Sequence, residues 1–226
     1  MARTQTDSPA RSEAADARGR TTAIGDATRM RLMQAAERLI AEHGLDGVSV
    51  RDITAVAETN SASIHYHFQS KEGLIYAIME DRAERLRGHR RRHLSRLDDR
   101  RPTTRQVAEA LVNPTFEFVT GEGAEADTAY VGFLAAVLDD PAMMPALERY
   151  FSDQYESYFE ALRRARPDLA QEVLVNRVCF ALHLVLNTVS EPARGLRTWI
   201  ERHYPPAIVV IRESLIDFVA GAFEAP

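Results

Sequence analysis

One cysteine and one tryptophan occur in 226 residues, and Lys71 is the only lysine among 28 basic side chains. A lone thiol, Cys179, cannot close an internal disulfide, and its apolar neighbours make it a buried thiol of a reducing compartment. Packing therefore has to hold the fold. No apolar run approaches the roughly 18 residues that a membrane helix needs. The best stretch, 173–189, is interrupted by Asn176, Arg177, His183 and Asn187. The first residues carry no apolar segment of the kind a secretory signal requires. Also missing are a G-x-S-x-G elbow, a glycine-rich phosphate loop and an H-E-x-x-H pair, and Cys179 has no activating base beside it. These absences argue against an enzyme, a cofactor, a metal centre or a membrane partner, and for a cytoplasmic protein. The near-total preference for arginine over lysine fits a GC-rich genome and carries no mechanism.

Strands are lacking as well. No period-two stretch of strand length and no 20–50-residue repeat is found. What remains is helical periodicity, in a chain long enough for one sizeable core or two small ones. Residues 1–27 show no apolar period and read as a disordered arm. Its arginines Arg3, Arg11, Arg18 and Arg20 either trail along a polyanion or simply sit in solvent. From Thr28, the residues Leu32, Ala36, Leu39 and Ile40 follow helical spacing up to a left-handed stop at Gly44. Ser49 and Asp52 form a capping box for a short helix that buries Ile53 and Val56. Asn60 caps the next helix, with Ile64 and Phe68 inward. Ser70 caps a long helix from Lys71 towards Leu97. Five further helices are expected at 103–119, 126–138, 142–165, 168–190 and 205–223, punctuated by glycine and proline. Pro114 should kink the first of these. The expected fold is all-α with about nine helices. A three-helix helix-turn-helix unit at 28–74 is followed by a larger helical unit at 75–226.

The net charge of −5 is unevenly divided. Residues 1–101 hold 18 basic against 15 acidic side chains, and residues 102–226 hold 10 against 18. A mildly basic part can approach phosphates, whereas the acidic part is repelled by them. Between Arg82 and Arg101 lie nine arginines against three acids. A solvated helix face accounts for that run equally well.

The second short helix carries Ser61, Ser63, His65, Tyr66 and His67. Hydroxyl, imidazole and phenol groups crowded on so short an element suit phosphates and base edges better than they suit solvent. This points to DNA binding. His65 and His67 lie two apart and diverge around the helix, which makes them poor joint metal ligands.

Residues 28–74 closely resemble the tetracycline-repressor (TetR) family of bacterial one-component regulators. The matching residues are Gly44, Gly47-Val48-Ser49, Arg51-Asp52-Ile53, Ala57, and Asn60-x-Ala62-x-Ile64-x-Tyr66-His67-Phe68-x-Ser70-Lys71-Glu72-x-Leu74. Two positions depart from the pattern. Glu58-Thr59 occupies the turn where Gly-Val is usual, and His65 stands where Tyr or Asn is common. The resemblance implies that Ser49, Arg51, Asn60, Ser61, Ala62, Ser63, His65, Tyr66, His67 and Lys71 meet double-stranded DNA at an operator. His65 and Tyr66 would sit in the major groove, with Ser61, His67 and Lys71 on the backbone.

The resemblance also implies a small-molecule pocket in the second part, between the long helix and those after it. Phe116, Tyr130, Phe133, Tyr155 and Phe159 are candidates for lining it. His183 and Asn187, polar groups one turn apart on an apolar helix, need buried partners or a ligand. The mixed aromatics favour a largely apolar effector. Trp199 caps that pocket or merely packs. The last two long helices are apolar on two sides. Leu174, Val178, Ala181 and Val185 on one, with Ile208, Ile211, Leu215 and Phe218 on the other, are expected at a homodimer interface of four-helix-bundle form. The function expected is a ligand-responsive repressor. The alternatives are an activator of the same family, or a helical ligand carrier that binds no DNA.

Overall fold

The computed structural model describes residues 9–97, 101–121, 124–138, 140–190, 203 and 208–226. Among these residues the secondary structure is helical throughout. The helices are α1 (Pro9–His43), α2 (Val50–Val56), α3 (Ser61–Phe68), α4 (Lys71–Leu94), α5 (Thr104–Thr120), α6 (Ala124–Leu138), α7 (Met144–Ala165), α8 (Gln171–Val189) and α9 (Ile208–Glu224). A single 3₁₀ turn, Pro141–Met143, leads into α7.

Local chemistry sets most of these boundaries. Gly44 ends α1 at φ +75°, a conformation that costs glycine little. Ser49 and Asp52 cap α2 reciprocally, and Asp52 Oδ2 accepts from the Ser49 N–H at 2.8 Å. Asn60 Oδ1 caps α3 through the Ser63 N–H at 3.2 Å, and Ser70 Oγ caps α4 through the Gly73 N–H at 3.0 Å. Thr103 and Gln106 form a second capping box at α5. Pro114 is buried inside α5, which continues to Thr120 without interruption.

The start of the chain corrects one expectation. Instead of an unstructured arm over 1–27, the first helix begins at Pro9. Proline suits the first helical position, and the segment after it is rich in alanine. Extending a helix already nucleated at Thr28–His43 adds one hydrogen bond per residue without a second nucleation cost.

Helices α1 to α4 pack into a small unit around Leu32, Ile40, Ile53, Ile64, Phe68 and Leu74. α4 runs on from it to meet α5 and α7, while α1 also packs along α6. α5 lies in the middle of the second part, touched by α4, α6, α7, α8 and α9.

The paired apolar stripes of α8 and α9 resolve differently from expectation. Leu174, Val178, Ala181 and Val185 are buried within the protomer, as is Leu215 on α9, and Ile211 is partly buried against the same core. A residue cannot fill its own protomer's core and also face a partner, so these positions are corrected from interface to core. Of the seven expected interface residues whose side chains are described, only Phe218 is exposed, at 68%. The side chain of Ile208 lies outside the described residues. The exposed large apolar residues of these helices are instead Val175 and Phe180 on α8 and Val210 and Phe218 on α9.

At 19 residues α8 is also long and apolar enough to cross a membrane by length and composition, contrary to the sequence expectation. Its buried side packs on α5, α6 and α7, as a helix of the bundle does.

Candidate nucleic-acid interface and effector core

Eight residues place the α3 side chains. Ile64 and Phe68 are buried, which leaves Ser61, Ala62, His65 and Tyr66 on one exposed face and Ser63 and His67 at its flanks. Tyr66 is 84% exposed, far above what a phenol keeps when it packs. Its ring stands edge-on to His67 at 4.9 Å. His65 is oriented by a contact of 2.9 Å between Nδ1 and the Gln69 carbonyl. The turn before α3 needs a left-handed residue, and Glu58 supplies it at φ +51°. For a residue with a Cβ this costs about 1 kcal/mol or more. Thr59 and Ser63 join their hydroxyls across that turn at 2.8 Å.

The other expected DNA contacts hold different roles. Arg51 is exposed at the first turn of α2. The hydroxyl of Ser49 is committed to Asp52, whose carboxyl it holds below the usual range. Asn60 is a helix cap. The Lys71 ammonium donates to the carbonyl of Leu45, tying α4 to the loop after α1. A position that sequence reading passed over also matters here. A Cβ on Gly73 would stand 2.0 Å from the Phe68 carbonyl oxygen, so only glycine lets α4 start this close to the end of α3.

The second part gathers aromatics as expected, with exceptions. Phe116, Tyr130 and Phe133 are buried, and Tyr155 and Phe159 are partly buried against the same core. Tyr130 stacks on Phe133 at 5.9 Å and meets Phe118 at 6.1 Å. His183 and Asn187 are not among them. Both lie on the exposed side of α8, where His183 Nδ1 meets the Cys179 carbonyl at 2.8 Å and the Asn187 amide donates to the His183 carbonyl at 2.9 Å. Their polarity is satisfied along their own helix, so the expectation of buried partners is corrected. Cys179 is half-buried rather than buried, and Trp199 lies outside the described residues.

Charged groups deep in the fold were not foreseen. Arg82 grips Glu37 of α1 through two contacts of 2.6 and 2.9 Å, and its third nitrogen reaches Asp127 of α6 at 3.2 Å. Arg85 holds the same Asp127 at 2.9 and 2.7 Å. Asp127 and Glu37 are buried. Burial pushes the Glu37 carboxyl up to about 7, against the pull of Arg82. Further along α4, Arg90 is also buried, near Gln154, Phe151 and Tyr155. The signal was present in the sequence. Glu37 falls within the apolar stripe Met33, Ala36, Ile40, and Arg90 continues the stripe Met79, Ala83, Leu86.

Two known sequence families match this chain. The family described as bacterial regulatory proteins, tetR family, covers residues 32–78, and the tetracyclin repressor-like C-terminal domain covers 109–222. The HTH-type transcriptional repressor KstR2 of Rhodococcus jostii is 35% identical over 91 residues, 40% of this chain and 43% of that protein. The HTH-type transcriptional repressor AcnR of Corynebacterium diphtheriae is 33% identical over 58 residues, 26% of this chain and 30% of that protein. The chain thus spans less than half the length of these relatives. The crystal structure of HlyIIR, a hemolysin II transcriptional regulator, superposes with a TM-score of 0.56 at 17% identity, covering 89% of this chain and 99% of that one. That likeness is one of fold.

Proposed function

The chain belongs to the tetR family of bacterial regulatory proteins, and from that premise we propose that it is a cytoplasmic, homodimeric repressor released from a pseudo-palindromic operator by a small molecule. Regulators of this family are generally non-enzymatic transcription factors that bind operators and effectors as dimers.

The observation that carries the reading is the exposed face of α3, with Tyr66 standing out from it. A helix whose inner side is fixed by Ile64 and Phe68 presents its outer side rigidly, as a recognition helix in a major groove must. His65 and Tyr66 read bases, while Arg51, Ser61 and His67 take phosphates. Ser49, Asn60 and Ser63 hold the ends of α2 and α3 in place, and their backbone N–H groups lie beside the duplex. Lys71 serves the same surface from its place against the loop after α1.

Two copies pair through the exposed side of α8 and α9, where Phe180 and Phe218 stand out, which brings two α3 helices to successive grooves. The effector enters the aromatic core between α4 and α8. It shifts the equilibrium only by preferring one spread of the dimer over another.

A gel shift with the DNA upstream of the gene tests this. Tyr66→Ala should weaken specific binding by about 1–3 kcal/mol per lost base contact. Arg51→Ala should weaken binding to every sequence and flatten its salt dependence. If both variants bound as the parent does, this reading face would be wrong.

A further inference from the structure

Among the described residues, the helical core holds a guanidinium, that of Arg90, with no carboxylate partner. Arg90 is 2% exposed. Arg82 and Arg85, on the same helix, each grip carboxylates, but among the described residues no carboxylate meets Arg90. Its polar partners are neutral, the amide oxygen of Gln154 at a long 3.3 Å and the hydroxyl of Tyr155, and its Cζ lies 5.7 Å from the Phe151 ring centroid. Arg90 Nε has no hydrogen-bond acceptor. Neither do the Gln154 Nε2 group or the hydroxyl of Tyr130, both buried on helices that pack around the same core. The charge of Arg90 also reaches Tyr130, without a hydrogen bond.

Each of these orphaned groups is a donor. A buried cation that lacks its counter-ion is strongly unfavourable, and unmade hydrogen bonds add to the cost. What the cluster lacks is an acceptor with one negative charge and two oxygens, which is a carboxylate matched to the guanidinium fork. A phosphate dianion would replace one uncompensated charge by another. Around this polar spot the walls are aromatic, so the rest of the molecule must be apolar.

We infer that Arg90, with Gln154 and Tyr130, is the anchor for the carboxylate of an amphiphilic effector whose apolar body packs among the aromatics of α5, α6 and α7. The inference rests on the reading of this core as the effector site, and it replaces a largely apolar ligand by an anionic one. Without the effector Arg90 stays uncompensated and the core around it is strained. With it, α4 is tied through the ligand to α6 and α7.

The test uses the full-length protein and matched probes, decanoate against decanol and phenylbutyrate against phenylbutanol, followed by calorimetric titration. The parent should bind at least one acid roughly tenfold or more tightly than its alcohol, the weight of one charge-assisted bond. Arg90→Met should lose that preference while it binds the alcohols no worse. The variant should also unfold at a higher temperature than the parent without ligand, because it removes a buried unpaired charge. Arg90→Lys, which keeps charge but not the fork, should fall between them. If acid and alcohol bind the parent equally, the effector site stands and the carboxylate anchor is wrong. If the parent binds none of the four probes, the effector reading falls and this inference with it. Unchanged preference in Arg90→Met would also overturn it.

Discussion

Glu37 and Arg82 meet in the interior, and their contest is visible in one carboxyl. Burial raises Glu37 to about 7 from an ordinary 4.5, even though Arg82 pulls the other way. A raised carboxyl binds its proton more tightly in the folded state. Its contribution is therefore complete below pH 4.5 and is lost as pH rises through about 7. A shift of this size corresponds to roughly 3 kcal/mol. Urea unfolding followed across that window should show stability falling for the parent and a flatter profile for Glu37→Gln. Identical profiles would contradict this account. Other residue-scale features were legible in advance. Ser49 with Asp52, Asn60, Ser70 and Gly44 announced their caps, because capping depends on atoms only two or three residues away. The positive φ of Glu58 could not be read from the sequence, since the turn type depends on how α2 and α3 pack.

At the scale of elements, periodicity located the helices to within a few residues wherever apolar positions recurred. It could not assign the two sides of α8 and α9. Both sides are apolar, and a stripe facing α5 looks the same in sequence as one facing a second protomer. In the folded chain Leu215 and Val178 face inward, while Phe180, at 71% exposure, and Phe218 face out. The two kinds of position should respond differently to charge. Phe218→Glu should remain folded by circular dichroism and run as a monomer in light scattering, because a carboxylate at an apolar interface leaves an uncompensated charge costing several kcal/mol. Leu215→Glu should lose the fold itself. A folded, dimeric Phe218→Glu protein would remove α9 from the proposed interface.

The whole molecule is tied together by α1 and α4, which belong to the small α1–α4 unit yet pack on α5, α6 and α7. Arg82 lies at the crossing, bonded at once to Glu37 of α1 and Asp127 of α6. Removing a partner from a buried ion network costs about 3–5 kcal/mol, because the charges left behind stay desolvated. Arg82→Gln should therefore lower stability by that order and split the unfolding transition seen by calorimetry, the α1–α4 unit melting apart from the rest. A single sharp transition in the variant would show that the crossing does not couple the two parts.

What the sequence determined by itself was local: the helices of the described residues to within a few positions beyond Thr28, the caps at Gly44, Ser49, Asn60 and Ser70, the face of α3 and the motif between Gly44 and Leu74. Side-chain spacing along one helix is enough to define an inner and an outer face when only one side is apolar, and α3 is such a helix. Only tertiary structure decided which side of α8 stays exposed and which partners Glu37, Asp127 and Arg90 meet inside. It also placed His183 and Asn187 outside. A charged or apolar side chain has no fixed address until a second helix covers it, and the partners of these buried groups lie 42 to 64 residues away, as in Arg82 with Glu37 and Asp127, 45 positions distant on either side.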